Sequence, residues 1–439
     1  MTAFDSTRPT GGAVIVDAPA RPASLGRKIT AITLGNGLEF FDFAIYTYFA
    51  TILGKLFFPG SSPLSQLLMS LATFGIGFVV RPLGGIVIGS YADRAGRKAA
   101  MTLTLWLMAA GSAVFVIAPT YAQIGIAAPL LLVAGRLIQG FAVGGEVGAS
   151  TSMLLEYADD SNRGYFASWQ LFSQALSTLL GSLVGLCLTA VLTTEQLHAW
   201  GWRVPFLIGM GLIPLGTYIR RSLDETHIIE GATRSAATPI RDVFRLHRRK
   251  VVMGVLMTAG ATSSNYIVLH YLTNYAVGVL KMPFSVGLWA SFVAGGVQLA
   301  LAAAAGIASD RWGRKRVVTW ARVSLLLLIV PAFAWLSVAP DTMRLLAVAS
   351  ALMVPVVFIS VGTITMITEM FPRAIRATGL SIVYSLGVSI FGGFAQFFAT
   401  WLVGATGSKL APAGYVIVMG CIAFVAVLKS NELAGKPLD

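Results

Sequence analysis

The stretch GSYADRAGRK at residues 89–98 recurs as GIASDRWGRK at residues 306–315. In both copies an aspartate, two arginines, a glycine and a lysine stand at the same offsets, and the copies lie roughly half the chain apart. Internal repetition of this kind indicates two copies of one structural unit. We therefore interpret the chain as two related halves, each containing one of these motifs.

The composition is that of a polytopic membrane protein. Of the 439 residues, 56% are hydrophobic and only 12% are charged, and the mean hydropathy is +0.76. Soluble proteins contain about 25% charged residues. The net charge of +13 does not indicate nucleic-acid binding, because basic residues of membrane proteins collect in the loops between spans. We expect the lipid bilayer as the environment and no nucleic-acid partner.

The apolar runs predict twelve membrane spans. A span needs about 20 apolar residues, and charged or Pro/Gly-rich breaks divide the chain into runs at 28–51, 64–90, 99–118, 126–155, 164–191, 203–220, 250–279, 284–308, 316–337, 343–368, 377–402 and 412–428. Together with the repeat, these runs predict an all-α fold of twelve transmembrane helices in two pseudo-symmetric six-helix bundles.

Basic residues predict the orientation and the domain boundaries. They crowd the amino-terminal tail, both motifs and the loop at 221–249, and by the positive-inside rule these segments are cytoplasmic. No signal peptide is evident at the amino terminus. We therefore divide the chain into a cytoplasmic tail (1–27), a first bundle (28–220), a cytoplasmic linker (221–249), a second bundle (250–428) and a cytoplasmic tail (429–439).

A second repeat supports the two halves. Glu156 precedes Arg163 by seven residues in LEYADDSNRGYF, and Glu369 precedes Arg376 by the same interval in TEMFPRAIRATG. Each pair falls at the predicted cytoplasmic junction between the fourth and fifth spans of its half. Both halves therefore carry two matching charged landmarks.

The repeated motif resembles the signature loop of the major facilitator superfamily, which lies between the second and third spans and again between the eighth and ninth. More narrowly, GNGLEFFDFAIY at 35–46, RPLGG at 81–85 and RLIQGFAVGGEVG at 136–148 resemble the metabolite:proton symporters. TYFATILGKLFFP and ATGSKLAPA are most similar to citrate and tricarballylate symporters. The resemblance implies proton-coupled uptake of a small organic anion across a bacterial inner membrane by a monomer, with no cofactor beyond the proton gradient.

The resemblance also implies that the motif loops act as cytoplasmic latches. Such latches stabilise the outward-open state, and basic motif residues are expected to reach acidic groups on neighbouring helix ends. We predict gating roles for Asp93, Arg97, Glu156, Arg163, Asp310, Arg314, Glu369 and Arg376. Setting the topology by positive charge is a second role that these loops can have at the same time.

Ionisable residues inside spans are candidates for proton coupling, because each costs roughly 2.5–3.5 kcal/mol on insertion scales. Glu39 and Asp42 share a face of the first span, and Glu146 lies in the fourth span with Arg136. We predict that Arg136 pairs with Asp42, Glu39 or Glu146 until that acid is protonated, which releases the arginine for an anionic substrate. A brace between helices is the alternative role for Arg136.

Uncharged polar residues supply the remaining candidates for substrate binding. The seventh span carries a polar stripe at intervals of four residues, from Thr262 through Tyr266 and His270 to Asn274. The predicted substrate contacts are Asn36, Arg136, Gln139, Gln170, Gln174, Tyr266, His270 and Asn274. Interhelical packing is the alternative role for each amide.

Further expectations concern glycines and two arginines. Gly140, Gly144, Gly145 and Gly148 are predicted to let neighbouring helices approach closely. Arg322 is predicted to snorkel to the membrane surface. Arg81 is predicted either to snorkel or to brace the motif that follows it, with a charge facing the substrate as the alternative.

Other classes of function fit the sequence less well. No HExxH sequence, His/Cys cluster or nucleophile motif indicates an enzyme or a metal site, and a two-fold internal repeat does not suggest a channel. Among transporters, a zwitterion symporter for betaine- or proline-like compounds and a proton-coupled drug exporter stay open. Phe40 stands where many members of the symporter family carry tryptophan, which leaves substrate choice open at that position.

Overall fold

The computed structural model describes residues 25–60, 62–95, 97–144, 150–151, 153–155, 157–221, 243–372 and 375–436. Helices make up nearly all of this part of the chain, and it contains no β-strand. The prediction of an all-α fold is therefore confirmed. Twelve helical segments follow the twelve predicted apolar runs in order, and we number them as spans 1 to 12.

The first six spans precede the central loop. They are Leu25–Phe57 (span 1), Pro63–Val79 continued by Arg81–Ala95 (span 2), Arg97–Ile117 (span 3), Ala127–Val143 (span 4), Arg163–Val191 (span 5) and Val204–Arg221 (span 6). Span 2 begins where the Ser62 hydroxyl accepts a hydrogen bond from the backbone N–H of Ser65, with Pro63 in the first turn. This capping satisfies a backbone donor that the helix itself leaves unpaired.

The second six spans follow that loop. They are Arg248–Val279 (span 7), Phe284–Trp312 (span 8), Arg314–Val338 (span 9), Thr342–Glu369 (span 10), Arg376–Thr406 (span 11) and Ala411–Lys429 (span 12). In the described ranges, nine of the twelve are long and apolar enough to cross a membrane, and Thr102–Ile117 and Ala127–Val143 are shorter apolar helices. The chain is a multi-pass membrane protein.

Spans 7 and 11 contain π-helical turns. These are Tyr266–Tyr271 and Tyr275–Val279 in span 7, and Val388–Gly392 in span 11. A π-helix bonds residue i to i+5, so each such turn is wider and changes the direction of the side chains that follow it. Residues four apart in sequence therefore do not all keep one face along span 7.

Glycine pairs allow several helices to touch through their backbones. A methyl group built on Gly140 of span 4 would lie 1.7 Å from the carbonyl oxygen of Gly77 on span 2. One built on Gly164 of span 5 would lie 2.6 Å from the carbonyl oxygen of Gly306 on span 8. Gly144 is equally close to span 2, so the packing role predicted for Gly140 and Gly144 is confirmed.

The two halves meet along spans 5 and 8, spans 2 and 11, and spans 1 and 7. Between spans 2 and 11, the Ser389 hydroxyl donates to the carbonyl oxygen of Phe78 at 2.6 Å, and the Phe394 ring lies against Gly75. These contacts surround a central cavity. They place both π-helical spans beside it.

Arg81 and Arg322 are buried, so neither snorkels to the membrane surface, and the predicted brace between Arg81 and the first motif stays a prediction. The guanidinium carbon of Arg81 lies 3.8 Å from the centroid of the Phe78 ring. Arg322 is 1% exposed, and its Nη1 donates to the carbonyl oxygen of Gly260 on span 7 at 3.0 Å. Arg322 lies two turns inside span 9, about 12 Å from its first residue, where the neighbouring helix offers an acceptor and the membrane surface is distant.

The chain after span 12 folds back onto the second motif. The Glu432 carboxylate accepts hydrogen bonds from the backbone N–H groups of Arg314 at 3.3 Å and Lys315 at 2.8 Å. A carboxylate at this position satisfies unpaired donors at the start of span 9 and opposes the positive end of the helix dipole. Gly313, just before the helix, has φ of +90°, a conformation that favours glycine. The predicted tail at 429–439 therefore contacts the motif in its described part.

Candidate functional site

A cavity lies between the two halves. Its larger part measures about 570 Å³, including the open space at its mouth, and an adjoining part measures about 260 Å³. The two parts share Phe40, Gln174, Tyr266 and His270. Spans 1, 5, 7, 10 and 11 line the larger part, and span 2 contributes Phe74 to the smaller one.

The cavity lining combines apolar side chains with uncharged polar ones. Its described residues present hydroxyl, amide, phenol and imidazole groups, with no lysine, arginine, aspartate or glutamate. His270 lies between the rings of Tyr48 and Tyr266, with centroid distances of 5.9 and 5.5 Å. Its Nδ1 atom is buried and has no hydrogen-bond partner in the described part of the chain.

A buried polar cluster surrounds Asp42 inside the first half. Asp42 is 3% exposed, and its Oδ2 accepts hydrogen bonds from the Ser112 hydroxyl and from Nε2 of Gln139, the latter at 3.3 Å. Gln139 also donates to the Ser112 oxygen at 2.9 Å, and its Oε1 accepts from Nη1 of Arg136 at 2.7 Å. One amide side chain therefore connects the carboxylate with the guanidinium.

Aromatic rings enclose Arg136, which is fully buried. Its guanidinium carbon lies 3.7 Å from the ring centroid of Tyr46, 5.1 Å from that of Phe115 and 5.5 Å from those of Phe43 and Phe74. Cations over ring faces are stabilised by the ring quadrupole. Among the described residues no carboxylate forms an ion pair with Arg136. The amide of Gln139 and four aromatic rings therefore stabilise the buried charge of Arg136.

Phe43 and Phe74 connect this cluster with the cavity. Both rings line the smaller part of the cavity, which Arg136 does not, and the centroid of each ring lies 5.5 Å from the Arg136 guanidinium carbon. Arg136 therefore sits directly behind the cavity wall. A ligand in the cavity can interact electrostatically with Arg136 without touching it.

A second charged network joins the halves at the end of the molecule where residues 312–314 turn, which we call the motif end. Oε1 of Glu369 on span 10 lies 3.1 Å from Nη2 of Arg314 on span 9 and 3.4 Å from Nη1 of Arg163 on span 5. The Glu369 side chain is 1% exposed. Arg163 also donates to the backbone carbonyl of Lys436 at 2.9 Å. Burial of this shared carboxylate strengthens its attraction to both arginines.

Asp310 of the second motif caps a helix of the opposite half. Its two carboxylate oxygens accept from the backbone N–H groups of Gly164 at 2.8 Å and Tyr165 at 2.9 Å, at the start of span 5. It also forms an ion pair with Arg314 at 2.9 Å. Carboxylates are favoured at helix amino termini because free N–H groups and the helix dipole point there. Asp310 thus ties span 8 to span 5.

Asn274 also joins the halves, on the side of the cavity that faces away from the motif end. Its Nδ2 donates to the carbonyl oxygen of Thr47 at 2.9 Å and to Oε1 of Gln396 at 3.2 Å. Its Oδ1 accepts from the Thr51 hydroxyl at 3.2 Å. Contacts between the halves therefore lie at both ends of the cavity, one set at the motif end and the other away from it.

Comparison with known proteins identifies the family. The family model described as sugar (and other) transporter matches residues 28–238 and 219–439. The chain belongs to this family. It is 34% identical over 423 residues to a citrate-proton symporter of Klebsiella pneumoniae, with 95% of each chain covered. It is 31% identical to a proline/betaine transporter of Salmonella typhimurium, with 98% of this chain and 87% of the relative covered.

Solved structures show the same fold. The crystal structure of a D-xylose-proton symporter superposes with a TM-score of 0.74 at 19% sequence identity, covering 95% of this chain and all of the other. The predicted major facilitator fold of twelve helices is thereby confirmed. The protein is a transporter of this superfamily, and neither the family nor the fold is that of an enzyme.

The predicted substrate contacts separate into two groups. Gln174, Tyr266 and His270 line the cavity. The other five lie elsewhere in the bundle interior. Arg136 and Gln139 belong to the cluster around the first-span carboxylate, and the rest are Asn36, Gln170 and Asn274.

Two amides of this second group join spans 1 and 5. Nε2 of Gln170 donates to Oδ1 of Asn36 at 3.0 Å, and Nδ2 of Asn36 donates to the hydroxyl of Ser173. Both amides are buried. They serve as interhelical contacts in this structure, and their predicted role in substrate binding stays a prediction.

Several predicted residues fall outside the described part of the chain. Glu146 and Glu156 are among them, as are the side chains of Glu39, Asp93 and Arg97, so their proposed roles stay predictions. Arg376 is described, and its Nε donates to the carbonyl oxygen of Phe371 at 3.3 Å. Among the described residues no group of three or more His, Cys, Asp or Glu side chains is arranged to hold a metal ion.

The structure adds residues that the sequence did not single out. Ser112 gave no signal, because a lone serine in an apolar span is common. Phe43 and Phe74 match the apolar packing pattern of their helices and so carried no sign of a position between a cation and a cavity. Glu432 was the one with a usable signal, since an acidic residue directly after a final span can cap a neighbouring helix start.

Proposed function

We propose that the protein is a proton-coupled symporter that takes up a small organic carboxylate, such as a di- or tricarboxylate related to citrate. The linked pair of Asp42 and Arg136 behind the cavity wall is the observation that carries this proposal. The names of relatives at 34% identity support the substrate class. We further propose an inner-membrane location with both termini in the cytoplasm, function as a monomer and no cofactor beyond the proton gradient, on the basis of the basic loops and the bacterial relatives.

Coupling follows from the charges around Arg136. While Asp42 is ionised, its negative charge offsets the positive charge of Arg136, to which Gln139 links it. An anion in the cavity then gains little electrostatic stabilisation from Arg136. Once Asp42 is protonated, the positive charge behind the rings of Phe43 and Phe74 is no longer offset. An anionic substrate is then stabilised in the cavity. Proton and anion therefore favour each other's binding, as symport requires.

The cavity wall supplies hydrogen bonds that hold the substrate without a fixed charge. The amide of Gln174, the phenol of Tyr266 and the imidazole of His270 converge on both parts of the cavity. Carboxylate and hydroxyl groups accept hydrogen bonds from all three. A lining of neutral donors also permits release, since it does not bind an anion as firmly as a direct arginine contact does.

The motif-end network is proposed as the cytoplasmic gate. Glu369 and Asp310 hold spans 5, 8, 9 and 10 together across the two halves. Opening toward the cytoplasm requires these buried contacts to separate while the bundles at 28–220 and 250–428 rock against each other around the cavity. The carboxylates thereby set the free-energy difference between closed and open states.

A zwitterion such as betaine or proline is the second candidate substrate. The smaller part of the cavity is lined by the rings of Phe40, Phe43, Phe74 and Tyr266. Aromatic faces stabilise quaternary and secondary ammonium groups. The similarity to proline/betaine transporters agrees with this reading. Arg136 behind two of these rings disfavours it, because a cationic group in the cavity is repelled.

Uptake into proteoliposomes tests both candidates. Purified protein is reconstituted, and accumulation of citrate, other di- and tricarboxylates, betaine and proline is measured with and without an acid-outside gradient, against liposomes lacking protein. We expect carboxylate accumulation that requires the gradient and collapses with a protonophore. Uptake of betaine or proline alone would overturn the carboxylate proposal in favour of the second candidate. Transport that ignores the gradient for every compound would overturn proton coupling.

A further inference from the structure

The two oxygens of the Asp42 carboxylate have different surroundings. Oδ2 accepts hydrogen bonds from Ser112 and Gln139. Oδ1 is buried and accepts no hydrogen bond from any described residue. Buried carboxylate oxygens normally have a partner, so the open side of Oδ1 needs an explanation.

Gly209 of span 6 creates the space beside Oδ1. A methyl group built on Gly209 would lie 2.2 Å from Oδ1, well inside contact distance. The backbone does not require glycine there, because Gly209 is helical and has no positive φ. Alanine would favour the helix by about 1 kcal/mol. Room for Asp42 is therefore the physical reason for a glycine at this position.

We propose that the coupling proton is taken up on Oδ1 of Asp42, which fills the notch left by the missing side chain of Gly209, while Oδ2 stays bound to Ser112 and Gln139. This inference rests on the proposed symport. The proton comes from hydronium or water on the side of uptake and forms an O–H bond at Oδ1. The same proton returns to water on the side of release, so the carboxylate is regenerated in each cycle.

Protonation of Oδ2 would require a rearrangement that protonation of Oδ1 does not. The Ser112 hydroxyl and the Gln139 amide N–H already donate to Oδ2, and a hydrogen on that oxygen would point against both donors. With the proton on Oδ1, Oδ2 becomes the carbonyl oxygen of a carboxylic acid and still accepts both bonds. The bonds from Asp42 through Gln139 to Arg136 keep their geometry, and only the charge changes.

No other described group facing Asp42 occupies this notch. Arg136 of span 4 contacts Gln139, and Arg81 of span 2 lies across the Phe43 ring at 4.6 Å from its centroid. The Tyr46 hydroxyl donates to the carbonyl oxygen of Ser70 at 3.1 Å. Spans 3 and 6 present Ser112 and Gly209. Ser112 is therefore a positioning residue that fixes Oδ2 and leaves Oδ1 for the proton.

Substitutions at Gly209 test the notch, with Gly211 as the matched control. In Gly209→Ser the new Cβ would lie 2.2 Å from Oδ1, so Oδ1 must leave the notch, whereas a methyl group in Gly211→Ala meets no atom within 4 Å. The serine hydroxyl can then donate to the displaced carboxylate, which stabilises its ionised form. We expect Gly209→Ser to lower gradient-driven accumulation about tenfold and to move half-maximal uptake about one pH unit toward acid. Gly211→Ala should match the parent both in the extent of accumulation and in its pH dependence.

The outcomes separate this inference from the proposed function. If the parent shows gradient-driven uptake and Gly209→Ser matches it in extent and pH profile, the notch is not the proton site and the symport proposal stands. If the parent itself shows no gradient-driven uptake, the proposed function fails, and this inference with it.

Infrared difference spectroscopy supplies a test that does not depend on the folding of Gly209 variants. The carboxylic C=O band of Asp42 is assigned by its loss in Asp42→Asn. With the proton on Oδ1, the carbonyl oxygen is Oδ2, so Ser112→Ala removes one of its hydrogen bonds and should move the band to higher frequency. A band that keeps its frequency in Ser112→Ala would overturn the inference.

Discussion

Asp42→Asn tests the electrostatic link between the buried cluster and the cavity. Asparagine has the shape of the protonated carboxyl group. Its carbonyl oxygen can accept the two hydrogen bonds that Ser112 and Gln139 now donate to Oδ2. Its NH2 group would occupy the position of Oδ1. The substitution therefore removes one negative charge and retains the hydrogen bonds of the cluster.

The distances give the size of the expected effect. The guanidinium carbon of Arg136 lies 5.5 Å from the centroids of Phe43 and Phe74. A carboxylate in contact with the cavity side of either ring adds about 4 Å, for a total of about 9.5 Å. At an effective dielectric constant of about 20 the attraction is about 1.7 kcal/mol for each unit of negative charge. That corresponds to about a 20-fold change in Kd.

We therefore expect Asp42→Asn to bind substrate more tightly than the parent at alkaline pH, by about 20-fold for each ionised carboxylate in contact with either ring, and about equally at acidic pH. Gradient-driven accumulation should be lost, because the asparagine cannot carry a proton. Isothermal titration at two pH values measures the affinities, and size-exclusion chromatography verifies that the variant is folded. The double variant Asp42→Asn, Arg136→Gln lacks both charges and should return to the alkaline affinity of the parent.

The contrary result is specific. If Asp42→Asn keeps the pH dependence of binding that the parent shows, Asp42 is not the group whose charge controls the cavity. If the double variant binds as tightly as Asp42→Asn, the gain does not come from Arg136. Either outcome would refute the coupling mechanism and leave the fold and the family unchanged.

Three further predictions concern packing, gating and pH. Gly140→Ala forces a methyl group against Gly77 and should destabilise the protein by about 1–3 kcal/mol. The control Gly414→Ala places its methyl group in open space and should not change stability. Equal melting temperatures for the two variants would contradict this prediction. Glu369→Gln removes a buried carboxylate shared by two arginines and should weaken the closed motif end by about 3–5 kcal/mol. A cysteine introduced into the cavity wall should then be labelled faster by a reagent added from that side. Unchanged labelling would exclude a gating role. Burial lowers the pKa of His198 below its usual value of about 6.5, so the stability that the neutral imidazole contributes is present above about pH 6.5 and is lost as the pH falls below it, through the lowered pKa. The melting temperature of His198→Gln should fall less at acidic pH than that of the parent. An equal fall in both proteins would contradict the assignment to His198.

The fold was predictable because its signals are local. Apolar runs of span length, repeated motifs and basic loops each occupy a short stretch, and they specified the twelve spans and their order. The charged landmarks were likewise visible as a repeat. Their pairing was not, because Glu369 contacts Arg163 of the other half, and a repeat found within each half does not indicate contacts across them.

The site was predictable only in part. The stripe in span 7 places Tyr266 and His270 on the cavity, yet Asn274 leaves it, because π-helical turns change the direction of later side chains and hydropathy does not reveal such turns. The sequence suggested a direct pair between Arg136 and an acid. In the structure Gln139 lies between Arg136 and Asp42, since side chains from three helices meet there and their relative positions depend on tertiary packing.

The two halves share the gate but not the coupling chemistry. At the motif end, acidic and basic residues from both halves form one network, in line with the sequence repeat. In the interior, the described carboxylate lies only in the first half, at Asp42, whereas the buried cation of the second half, Arg322, bonds to a backbone carbonyl and a serine of span 7. Direct contacts also join the halves, since Asn274 of span 7 bonds to Thr47 and Thr51 of span 1, the helix of Asp42. We propose that a substrate touching both Phe43 and His270 adds a second connection, through which protonation in one bundle can favour a movement that both bundles make.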